Sequence, residues 1–166
     1  MLRTDRERPR EFAEMVTDKC EWAVIAMTDT DGNPYCTPIT IARDGNSLYF
    51  HSGKALGKRT SALRNNPRVC VTCVGDTCRS ATKFTTEFES AVIIGTAEEV
   101  TDDKEKIHAL RLICQRHTPA NMDAFDRAIE KSLSITSIWK IHIEEITGKR
   151  KKYDKDGVEM KYGRME

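Results

Sequence analysis

Hydrophobic and polar positions along this chain change period several times, and each change predicts an element. Residues 10–20 set Phe12, Met15 and Val16 at helical spacing, which predicts a short amphipathic helix. Residues 22–28, rich in large and branched side chains, predict a strand. The run Asp-Thr-Asp-Gly-Asn-Pro at 29–34 predicts a reversal, because Asp-Gly and Asn-Pro both favour turns. Residues 35–43 read as the returning strand. Pro38 places it at a sheet edge or a bulge, since proline cannot donate to the ladder. Asp44, Gly45 and Asn46 make the next turn, and 47–52 a third strand.

The pattern then shifts. Residues 55–65 predict a helix, with Leu56 and Leu63 seven apart, stopped by Asn65-Asn66-Pro67. A fourth strand is expected over 68–74, a polar loop over 78–83, and a long strand over 84–100 in which Gly95 marks a bend or bulge. Thr101 is expected to cap a helix that opens on acidic residues and runs to about His117. A shorter helix follows over 121–132. In the last strand, 135–147, Ile135, Trp139, Ile141 and Ile143 share one face, and Lys140, His142 and Glu144 the other.

Six strands joined partly by tight turns argue antiparallel pairing and exclude a parallel nucleotide-binding sheet. The fold class expected is mainly β with peripheral helices, closed into a small or partly split barrel that removes exposed edges. One domain is expected over 1–150, followed by a polar tail, 151–166, that is either loosely ordered or lies on a partner chain.

Charge adds one feature. The 166 residues carry a net charge of +1, so no global field points to nucleic acid, and ionic recognition must be local. The longest apolar runs, 22–27 and 91–94, fall far short of the ~20 residues that cross a membrane. The charged first residues lack the apolar stretch of a signal peptide, so the cytoplasm is expected. Six cysteines then read as free thiols. Cys70 and Cys73, three apart on a strand, point to opposite faces and cannot share a metal without a sharp turn.

The candidate chemistry lies at 49–67. Lys54, Lys58 and Arg59 gather near the start of the predicted helix, where the dipole already places positive charge. A bound anion reverses that penalty, with backbone N–H groups, the cations and the Ser52 hydroxyl directed at one phosphate. Gly53 and Gly57 allow close approach. The alternative is a solvated basic helix face. His51 is either a packed strand residue or a catalyst. His108, His117 and His142 read as ordinary surface residues.

These residues also carry a resemblance. Tyr-Cys-Thr-Pro-Ile (35–39), Tyr-Phe-His-Ser-Gly (49–53), Gly-Lys-Arg (57–59), Asn-Asn-Pro-Arg-Val (65–69), Phe-Glu-Ser-Ala-Val-Ile-Ile-Gly-Thr-Ala (88–97) and Ile-Thr-Gly-Lys (146–149) occur in order. In them the chain resembles the pyridoxamine 5′-phosphate oxidase-like, FMN-binding split barrels, and among these the nitroimidazole-resistance flavoproteins. The resemblance implies a six-stranded antiparallel split barrel and a homodimer with FMN at the subunit interface. It implies that Lys58 and Arg59 hold the FMN phosphate and that His51 and Ser52 lie along the cofactor, His51 nearer the ring. The backbone of Pro38, Ile39, Thr40 and Ile41 would face the flavin. Ser90, and also Trp139 and Lys140, would reach it from one or other subunit. The oxidase's own C-terminal pattern, a tryptophan followed by Arg-x-His, is not seen. The implied activity is therefore FMN-dependent reduction of a small electron-poor molecule, a nitroaromatic or quinone, with His51 as hydrogen-bond or proton donor. The alternatives within the fold are a non-catalytic FMN binder and a haem protein ligated through His51 or His142.

Overall fold

A computed structural model describes residues 2–55 and 57–161. A 3-10 turn, Thr4–Arg6, leads into strand β1 (Glu7–Arg8) and helix α1 (Arg10–Lys19). Strands β2 (Ala23–Thr28), β3 (Pro34–Ile39), β4 (Ala42–Asp44) and β5 (Ser47–Gly53) follow, then α2 (Lys58–Asn65), β6 (Arg68–Arg79) and β7 (Thr86–Val100). Helices α3 (Asp103–His117) and α4 (Phe125–Ser132) precede the last strand, β8 (Thr136–Lys151). All pairings are antiparallel, in the order β3-β2-β6-β7-β8-β5-β4, with β1 added along β8.

The order of the strands forces the sheet to curl. Its two edge strands, β3 and β4, are joined through Thr40 and Ile41 alone. Three Cα steps reach at most about 11 Å. Seven strands laid flat would hold β3 and β4 about 29 Å apart. The two-residue strap therefore pulls one edge round to the other, and the sheet is a split barrel. The expected single strand over 35–43 is thus two strands on opposite edges. Pro38 sits on edge strand β3, where its missing N–H costs no ladder bond.

Inward residues fill the barrel. Ile25, Val71, Ile93, Ile141, Leu48 and Phe50 are buried with Trp139, whose ring stacks on Phe50 at 6.5 Å. Helix α1 adds Ala13 and Val16, and α2 adds Ala62 and Leu63. Outside the barrel, α3 and α4 lay Ala109, Leu110, Ile113 and Phe125 on Ala42, Tyr49, Val100 and Ile138, forming a second core. Gly95 does mark a bulge: Ile94 pairs Glu145 while Gly95 pairs Ile143, leaving Glu144 over. A Cβ on Gly95 would drive into the His142 carbonyl oxygen.

Several expected boundaries move. Helix α2 starts at Lys58, because Gly57 is extended and acts as its N-cap; Leu56 lies outside the described residues. Asp102, one residue after Thr101, caps α3, its carboxylate accepting from the Glu105 N–H at 2.8 Å. Residues 119–124 are a 3-10 turn ahead of α4, and Cys78 and Arg79 belong to β6 rather than to a loop. Ile135 precedes β8 in another 3-10 turn and is 66% exposed, so it does not share the core face of Trp139. The tail up to Lys161 folds back: Tyr153 bridges Glu159, which pairs with Arg6 at 2.6 Å, and Lys161 pairs with Asp5. Among the described residues, no helix is long and apolar enough to cross a membrane.

Candidate cofactor-binding site

The barrel's closure brings the strap, the end of β5 and the start of α2 to one corner. Ala42 opposes Tyr49, and that register, continued two residues, brings Thr40 level with His51. Ile39 and Ile41 bury their side chains in the core, while Pro38 is exposed and Thr40 half-buried. The strap is pinned from behind. The Ile41 carbonyl accepts from Arg116 Nη1 at 2.9 Å and meets His117 Nε2 at 2.9 Å. Arg116 also donates to the carbonyls of Thr17 at 2.8 Å and Cys20 at 2.7 Å. One guanidinium thus ties the ends of α1 and α3 to the strap.

His51 points outward from β5, open to solvent on one side and crowded on the other. That loss of solvent, then the charges of Arg59 and His117, lower its pKa. The imidazole is therefore neutral at neutral pH. Ser52, its neighbour, points inward and is 7% exposed, and its Oγ finds no partner among the described residues. A buried hydroxyl left unpaired costs about 1–3 kcal/mol, which marks the position as one for a ligand or water.

Lys58 and Arg59 occupy the first turn of α2, where no acidic residue and no side-chain cap offsets the dipole. Their environments differ. Lys58 Nζ pairs with Asp29 at 2.9 Å and lies over the Tyr35 ring. Asp29 is itself buried and also accepts from the N–H groups of Asp31 and Asn33; the Lys58 hydrogen bond is the main cause of its lowered pKa. Arg59 reaches back to the barrel mouth. Its guanidinium is 5.6 Å from the Phe50 ring centroid and 3.5 Å from the Thr37 hydroxyl, with no carboxylate partner among the described residues. The other two cations of the cluster are engaged: Arg64 pairs with Glu99, and Lys54 donates to the Ser134 carbonyl.

Of three further residues, Trp139 stands behind Phe50, and Lys140 and Ser90 lie apart from this corner. Trp139 is 2% exposed inside the barrel, its Nε1 without a partner among the described residues. Lys140 lies under α3 in an ion pair with Glu105 at 2.9 Å, and Tyr49 donates to the same carboxylate. Ser90 is ten residues before Val100 along β7, and Val100 and His51 both oppose Ile138 of β8. At the strand rise this separates Ser90 from His51 by about 30 Å within one chain.

A strap between barrel edges, an arginine at a helix start with no acidic partner among the described residues, and a histidine on the neighbouring strand make up the candidate site. The family model described as pyridoxamine 5′-phosphate oxidase matches residues 11–150. The chain belongs to the pyridoxamine 5′-phosphate oxidase family. Solved structures agree on this family's fold. A candidate 5-nitroimidazole antibiotic resistance protein of Bacteroides thetaiotaomicron is 25% identical over 86% of this chain and 84% of its own, with TM-score 0.71. A flavocytochrome from Azotobacter vinelandii is 22% identical, covering 96% and 82%, with TM-score 0.74. An FAD and haem binding protein from Mycobacterium smegmatis is 22% identical, covering 88% and 73%, also with TM-score 0.74. No curated protein matches in sequence.

Arg116, His117 and Asp29 adjoin the candidate site without being signalled by the sequence. His117 reads as an ordinary surface residue, and both it and Arg116 lie in the last turn of α3, where basic residues suit the helix dipole. Nothing in the periodicity indicates that a strap carbonyl lies within their reach. Asp29 sits in a turn signal and reads as turn chemistry, a role it also performs.

Proposed function

We propose that this protein is an FMN-binding flavoprotein, and that it reduces small, flat, electron-poor molecules such as nitroaromatics or quinones. The observation that carries the reading is local. Among the described residues, Arg59 has no acidic partner and lies over Phe50, and Ser52 Oγ, the next inward position along β5, has no hydrogen-bond partner. Arg59 stands in the first turn of α2, whose start has no side-chain cap. These donors fit a phosphate monoester, and family membership favours the phosphate end of FMN as that group. When bound, the flavin would supply the two-electron redox chemistry.

The protein's own residues have separate tasks. Arg59 binds the phosphate, Ser52 donates to it, and Lys58 adds a charge already shared with Asp29. The strap from Pro38 to Ile41, held by Arg116 and His117, gives the ring a fixed wall. Neutral His51 donates one hydrogen bond at the ring side, to cofactor or substrate. The nitroimidazole connection of the Bacteroides relative favours nitroaromatics as substrates.

The site is completed by a second copy of the chain. Two outward rows cross four strands without a charge: Pro38, Val24, Thr72 and Val92, then Cys36, Ala26, Cys70 and Ile94. An isologous pairing of this face would bury both rows and bring Ser90 of one copy toward the other, while Trp139 inside the barrel and Lys140 under α3 stay with their own chain. A visible spectrum with FMN titration tests the proposal. Flavin bands and saturable binding are expected. A Soret band instead would assign haem, ligated through His51 or His142, and colourless protein that ignores FMN would refute a flavin role.

A further inference from the structure

Two cysteines meet inside the molecule, away from the corner described above. Cys20, at the C-cap of α1, and Cys73, in β6, are free and buried. Ala23 opposes Cys73 at the end of the β2–β6 ladder, Cys20 lies three residues before Ala23, and both cysteines belong to the barrel core. The two thiols are close enough to perturb one another's ionisation, and the Cys20 thiol also donates to the Thr17 carbonyl at 3.3 Å. Arg116 rests on the same spot, its Nη2 3.6 Å from Cys20 Sγ. Its other hydrogen bonds go to the carbonyls of Thr17, Cys20 and Ile41, so this sulfur is the one acceptor among them that can become an anion.

The pair is asymmetric. The neighbouring Cys73 thiol and then the Arg116 charge lower the Cys20 pKa, whereas the Cys20 thiol and burial raise that of Cys73. A thiolate is therefore favoured at Cys20 and a thiol at Cys73. Cys20 is also the more accessible of the two. It lines an open cleft of about 430 Å³ with Lys19, Trp22 and Asp76.

We propose that Cys20 and Cys73 form a reversible dithiol–disulfide couple, with Cys20 attacked first by hydrogen peroxide and Cys73 as the resolving thiol. The Cys20 thiolate takes one peroxide oxygen, the O–O bond breaks and hydroxide leaves, giving Cys20 sulfenic acid. The Cys73 sulfur then bonds to Cys20 Sγ, and the sulfenic oxygen leaves as water with the Cys73 proton. Two thiols lose two electrons, and the peroxide ends as two waters. Through Arg116 the couple stands one hydrogen bond from the Ile41 carbonyl of the strap.

The test treats the full-length protein with a slight excess of hydrogen peroxide, alkylates the remaining thiols in denaturant and maps linked peptides by fragment-ion mass spectrometry. A Cys20–Cys73 link is expected, with a loss of about 2 Da and at least about tenfold less alkylation at both positions, reversed by dithiothreitol. Cys73→Ser should stop at a Cys20 sulfenic acid that dimedone traps, and Cys20→Ser should leave Cys73 open to alkylation. If either variant fails to fold, the wild-type map decides alone. The exposed Cys36 and Cys78 serve as internal controls. Their oxidation while Cys20 and Cys73 remain fully alkylable, or a link from Cys20 to any other cysteine, would overturn the proposal.

Discussion

The outer face of the sheet is covered over one half and bare over the other. Across β4, β5, β7 and β8, the outward side chains Ala42, Tyr49, Val100 and Ile138 are sealed by α3 and α4. Across β3, β2, β6 and β7, the equivalent positions are just as apolar, yet Val24 is 41%, Val74 49% and Val92 37% exposed. An antiparallel sheet with one solvated face normally alternates apolar with polar. The first half breaks that rule because it has its own cover. The second breaks it without a cover among the described residues, which is why it is the face proposed to pair two copies. The strap of Thr40 and Ile41 leaves β3 at the bare half and reaches β4 at the covered half, so the candidate site stands at the seam.

Substitutions separate the two halves. Phe125→Ala empties part of the covered half and should cost about 3–5 kcal/mol of folding stability in a denaturant titration. On the bare half, Val24→Asp should leave the folded monomer nearly as stable but weaken self-association at least about 100-fold, since a charge would be buried unpaired. Sedimentation across a concentration series reads this. A Val24→Asp protein that still dimerises would break the comparison.

At the seam, smaller effects distinguish two adjacent cations. Arg59→Ala should weaken FMN binding by about 10–100-fold, the loss of a charge-assisted contact worth about 1–3 kcal/mol. Lys58→Ala should cost less than about threefold, because the exposed Lys58 is already paired with Asp29. The order Arg59 before Lys58, measured by flavin fluorescence quenching, sharpens the account; the reverse order would contradict it.

The smallest effect is a pH dependence. The folded-state pKa of His51 lies below its ordinary value, so the unfolded chain binds that proton more readily. Its contribution to stability is present above the unfolded value of about 6.5 and fades as pH falls through the folded one. His51→Asn should flatten this limb in thermal melts run from pH 7 down to pH 5.

The sequence reveals the elements more clearly than their connections. Turn residues and periodicity place α1, β2, β5, α3 and β8 to within a few residues, and Gly95 announces its bulge. The division of 35–43 is hidden, because Thr40 and Ile41 are β-formers and nothing local signals that the strand changes edges there. Of the candidate site, the Lys58–Arg59 pair is visible as cations at a helix start. That only one of them lacks an acidic partner is not, since Asp29 reaches Lys58 from another strand's turn. Arg116 and His117 are invisible for the same reason: the strap carbonyl they hold is 75 and 76 residues away in the chain.

The most direct test of the account is an FMN titration in which fluorescence and light scattering are read on the same wild-type sample. The account predicts saturation at one FMN per chain on a species of twice the chain's mass. FMN bound with undiminished affinity to a monomer, or no FMN bound by a dimer, would contradict it.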